Sequence, residues 1–67
     1  MKKGTILFES GMRFRREDLS EVELISRHAP GQWYCGVREL NFETEDYVDG
    51  GTAIFTEYEL KRMEMIN

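Results

Sequence analysis

A chain of 67 residues holds a single domain with a small core, since a domain of this size buries only about 60% of its unfolded surface. Cys35 is the only cysteine, so no internal disulfide can form, and Cys35 with His28 falls short of a set of zinc ligands. Thirteen acids against nine bases give a net charge of −4, which argues against a general nucleic-acid coat, because phosphate binding draws on an excess of Lys and Arg.

At the N-terminus Met1-Lys2-Lys3 precedes an apolar run, Ile6 to Phe8, too short for a signal peptide, and nowhere do roughly 20 apolar residues follow one another. No membrane span is expected, and with a lone thiol suited to a reducing compartment the expected location is the cytoplasm. Alternating and β-branched residues from Thr5 onward predict a mainly β chain. Residues 5–8 and 12–16 flank Glu9-Ser10-Gly11, the pattern of a three-residue hairpin loop ending on a left-handed Gly. That register sets Phe8 against Met12 and Ile6 against Phe14 on a core face. Leu7 meets Arg13 and Thr5 meets Arg15 on a basic one.

A second hairpin reads from Glu21 to Leu40 and turns at Ala29-Pro30-Gly31-Gln32, where Pro presets one dihedral and Gly supplies a positive φ. With residue 28 opposite 33, Val22, Leu24, Ser26 and His28 share an inner face with Val37, Cys35 and Trp33. The outer face then pairs Glu23 with Arg38, Ile25 with Gly36 and Arg27 with Tyr34. Residues 41–51 lack either periodicity and read as a long acidic loop ending on Gly50-Gly51. Thr52 to Phe55 is a short strand. Thr56-Glu57-Tyr58-Glu59 carries the capping-box spacing that starts a helix, and Met63 to Ile66 either extends that helix or closes the sheet as a strand.

Three features resemble the SH3-like small barrels: the Gly-Thr-hydrophobic opening strand, the central hairpin with Trp33-Tyr34-Cys35, and the Glu-Tyr-Glu-Leu turn before a last short strand. The chain is also similar to the short, acidic, charge-rich proteins of bacteriophages and prophages. The resemblance implies a barrel of about five strands with a short helical turn near the C-terminus, and a binding role with no narrower function.

Chemistry for catalysis is thin. His28 and Cys35 have no third group to orient them, and a structural role is expected for both. The acids gather in a segment read as solvated, unlike a catalytic carboxylate pair that needs an apolar pocket. Glu43, Glu45, Asp46 and Asp49 do not follow EF-hand spacing, and Gly50-Gly51 lacks the Lys and Ser or Thr of a phosphate loop. No enzyme activity, metal or cofactor is therefore expected.

Charge is unevenly distributed. Residues 1–16 carry five bases against one acid, a net of +4, while 39–49 carry five acids and no base, a net of −5. The acidic segment also holds aromatics, and a carboxylate-rich loop with apolar anchors suits a basic partner protein, with imitation of nucleic-acid charge as one route. Candidate binding residues are Phe42, Glu43, Glu45, Asp46, Tyr47 and Asp49. The alternative is a nucleic-acid face of Arg13, Arg15 and Arg16, with Lys2 and Lys3, around Tyr34 or Phe14. The bipolar charge also suits self-association.

Overall fold

Alternating apolar residues put most of the chain into strands. The computed structural model describes residues 7–66. Its elements are β1 (Arg13–Arg15), β2 (Glu21–Ala29), β3 (Gln32–Asn41), β4 (Asp46–Thr56), the helix α1 (Glu57–Lys61) and β5 (Glu64–Met65). The strands form one antiparallel sheet in the order β4-β3-β2-β1-β5. Among the described residues that sheet is open, with β4 and β5 as its edges, and their pairing closes no ring. It is nevertheless curled: the Arg16 guanidinium, just past β1, lies 5.5 Å from the centroid of the Phe55 ring on β4, although β2 and β3 intervene.

One face carries the core. Phe14, Val22, Leu24, Trp33 and Cys35 pack there with Phe8 and with Leu60 of α1, and Met12, Phe55 and Met63 close the margins. The helix starts as the capping box predicts, because Thr56 accepts from the Glu59 N–H while the Glu59 carboxylate accepts from the Thr56 N–H. Residues 64 and 65 form a strand beside β1 and not a continuation of the helix.

The N-terminal hairpin of 5–8 with 12–16 needs correction. β1 is occupied on both sides, by β2 with Phe14 opposite Val22 and by β5 with Phe14 opposite Met65, so it offers no free edge to residues 5–8. Leu7 is exposed and irregular and does not meet Arg13, while Phe8 turns inward to set its ring 6.0 Å from that of Phe14. Thr5 and Ile6 lie outside the described residues. Gly11 does adopt the positive φ expected of it, at +93°.

The central hairpin exists, with its turn at Pro30-Gly31 and Trp33 buried on the inner face, but its register differs from the expected one. Ala29 still pairs with Gln32. Two bulges on β2 then each insert a residue, so that Arg27 faces Trp33, Ser26 faces Tyr34, Leu24 faces Cys35 and Glu21 faces Arg38. The accumulated slip of two residues preserves the faces, because side chains alternate with period two, so Val22 and Leu24 still point inward. Ser26 and His28, expected inside, are exposed, and His28 is one of the extra residues. Glu23 faces Gly36 instead of Arg38.

The acidic loop is likewise corrected. Only residues 42–45 turn; β3 runs to Asn41 and β4 starts at Asp46, making one long hairpin with a single irregularity where Gly50-Gly51 stands against Val37.

Candidate binding surface at the β3–β4 hairpin tip

The turn is built by Asn41. Its side-chain oxygen accepts from the Glu43 N–H at 2.9 Å and the Thr44 N–H at 3.4 Å, and its carbonyl accepts from the Glu45 N–H at 2.6 Å. To close this turn Glu45 takes a positive φ of 61°, a conformation Gly or Asn adopts at lower cost. Phe42 projects at the tip with 70% of its surface exposed, flanked by the exposed Glu43, Glu45 and Asp46.

Tyr47 belongs to the scaffold more than to the tip. Half-buried, it donates its hydroxyl to the Leu19 carbonyl at 2.9 Å, tying β4 to the turn between β1 and β2. Leu19 itself has a positive φ of 71°, and the turn is held by Ser20, whose N–H and hydroxyl both donate to the Asp18 carboxylate at 2.9 and 2.6 Å. Those two donors lower the Asp18 pKa below its ordinary value. Asp49 accepts from the Gly51 N–H at 2.9 Å, shaping the bulge. The structure thus brings Phe42, Glu43, Glu45 and Asp46 together, while Tyr47 and Asp49 brace the hairpin.

The arginine face is differently occupied. Phe14 points inward, so Arg13 and Arg15 point outward, and both reach the buried Glu21 at 3.0 and 3.5 Å; Arg15 also lies 3.8 Å from Glu64. Tyr34 lies on the outer side of β3 with its hydroxyl 3.2 Å from the Thr52 hydroxyl. Arg16 is turned away over Phe55. Beside it a shallow cleft sets Arg15, Arg16 and Arg62 against Glu17, Asp18 and Glu64, equal numbers of each sign.

Two partnerships were not readable from sequence. Glu21 is the partner of both arginines, and its one signal in the sequence is an acid opening a strand near two bases. Glu57 accepts from Trp33 Nε1 at 2.9 Å and lies 3.6 Å from Arg27, whose guanidinium rests 4.9 Å from the Trp33 ring centroid. Cys35 is fully buried behind Trp33; its thiol donates to the Trp33 carbonyl at 3.4 Å, and burial pushes its pKa from 9.0 to about 11. Such a thiol is a poor nucleophile. Among the described residues no group of three or more His, Cys, Asp or Glu side chains is arranged to hold a metal, and no helix is long and apolar enough to cross a membrane.

Compared with protein-family models, with curated proteins and with solved structures, the chain matches none of them.

Proposed function

We propose that this protein is a non-enzymatic binding module or inhibitor whose hairpin tip docks on a basic surface of a partner protein, the acids steering and Phe42 anchoring. One observation carries this: an exposed Phe42 stands in a carboxylate-rich turn that keeps a Glu at a left-handed position. A residue held where its backbone is strained is a pointer to use, since nothing in the packing of so exposed a side chain requires it. The same reading places the protein in the cytoplasm and among short phage-type inhibitors. It treats the curled sheet as SH3-like; supporting this are the meander of β1 to β4 and the return of β5 beside β1 after a helical turn.

Affinity capture from the native cell with mass spectrometry identifies the partner, and binding kinetics then test the tip. Changing Glu43, Glu45 and Asp46 to Gln or Asn should slow association with folding intact, whereas Phe42→Ala should speed dissociation. Binding that survives the triple change at physiological salt would overturn the proposal.

The nucleic-acid reading has one observation in its favour: among the described residues Arg16 and Arg62 form no ion pair and both lie over aromatic rings, of Phe55 and Tyr58. Against it, Glu21 engages both Arg13 and Arg15. A salt titration on single strands decides, with a slope of about −0.7 per phosphate contact expected if binding occurs.

A further inference from the structure

The edge strand β4 is blunted over only half its length. Its tip half carries Asp46 and Asp49 and ends in the Gly50-Gly51 bulge, devices that discourage edge pairing, while residues 50–56 hold no charge and no Pro. At the opposite edge β5 spans two residues, and its Glu64 lies beside Arg15.

Backbone direction along the uncharged half follows from one hydrogen bond. The Glu57 N–H donates to the Gly31 carbonyl at 2.8 Å, which makes Gln32 and Thr56 a non-hydrogen-bonded pair of the β3–β4 ladder. The register runs unshifted from that pair to Gly36 opposite Thr52, so Ile54 and Thr52 occupy the same kind of position. Their N–H and C=O groups therefore point away from β3, toward an edge that no other described strand pairs with. Thr56 points the same way, but its N–H is taken by the Glu59 carboxylate at 2.9 Å, and Gly51, with φ of +88°, ends the regular stretch on the other side. What remains is four backbone groups on two residues, each a strong donor or acceptor.

We infer that this edge pairs with the same edge of a second copy of the chain, antiparallel about a two-fold axis at Ala53. Thr52 then faces Ile54 of the second copy, and each such pair exchanges both of its bonds, giving two satisfied pairs. Ala53 meets its equivalent at the non-hydrogen-bonded position, where strands come closest and a small side chain fits. Charge selects this stretch. Each copy carries −4, and this is the part of β4 along which two copies meet without setting Asp46 and Asp49 against each other. On the outer face the half-exposed Ile54, Tyr34 and Ile25 continue across the axis into one apolar stripe. Antiparallel pairing sends the two hairpin tips to opposite ends, making the dimer bivalent.

Sedimentation equilibrium of the full chain tests this, over a range from about 5 to about 500 µM where weak dimers are measurable. The mass should rise from one chain to two, and exchange protection of the Thr52 and Ile54 amides should rise with it. Ile54→Lys should weaken association at least about tenfold with the monomer's circular dichroism unchanged. Because Lys reduces the net negative charge, a general electrostatic effect would change association in the opposite direction. Thr52→Lys, on the same exposed row, carries the test should Ile54→Lys fail to fold. A single-chain mass throughout, a dimer indifferent to these changes, or protection at Thr52 and Ile54 independent of concentration would overturn the inference.

Discussion

Trp33 joins the core to the helix through one side chain. Its ring is buried, its Nε1 binds Glu57, and Arg27 covers its outer face. Trp33→Ala should cost about 3–5 kcal/mol and unfold much of the domain at ambient temperature, as large-to-small core changes do. Trp33→Phe keeps most of the apolar volume and loses the hydrogen bond, so a smaller loss of about 1–2 kcal/mol is expected in denaturant melts. Cys35, directly behind it, should react with a thiol reagent only as fast as the domain opens. Burial raises its pKa from 9.0 to about 11, so the folded state holds the proton more tightly than the unfolded chain. The resulting stabilisation is complete below pH 9.0 and is lost as pH rises through about 11, which a pH series of unfolding midpoints, with Cys35→Ala as control, would show.

Among the elements, the turns concentrate the strain. Leu19 and Glu45 are the non-glycine residues with positive φ among those described. Replacing either by Gly should relieve about 1 kcal/mol of backbone strain. For Glu45→Gly the melting temperature should rise while partner binding falls, the opposition expected where a local rule is broken for function. For Leu19→Gly stability alone should change, and a fall in melting temperature would mean that the side chain's packing outweighs its backbone cost. The capping box at Thr56 and the turn at Pro30-Gly31 were legible because each is settled within four residues by local hydrogen bonding. The bulges in β2 were not legible. Nothing near Ile25 or His28 marks an inserted residue; the insertions arise where β2 bends to keep Leu24 inward while its turn stays in register.

Across the molecule an exposed acidic tip stands apart from an arginine pair, Arg13 and Arg15, that Glu21 compensates. Glu21→Gln should release Arg13 and Arg15. If the arginine face binds single strands at all, this change should strengthen binding at low salt, read as a steeper salt dependence; an unchanged slope would remove the face from consideration. Composition, alternation and turn chemistry by themselves determined a mainly β fold, the inward set of Val22, Leu24, Trp33, Cys35 and Val37, the start of α1, and the acidic character of the segment after β3. These are properties of neighbours in the chain, or of a face that alternates with period two. Tertiary structure alone decided that β1 lies between β2 and β5, that Asp46–Thr56 is a strand and not a loop, and that Glu21 and Glu57 take the arginines and the tryptophan. Residues 46–51 carry acids and glycines that disfavour a strand in isolation. They are extended because β3 supplies a ladder of hydrogen bonds, a gain that exists only once the two strands have met.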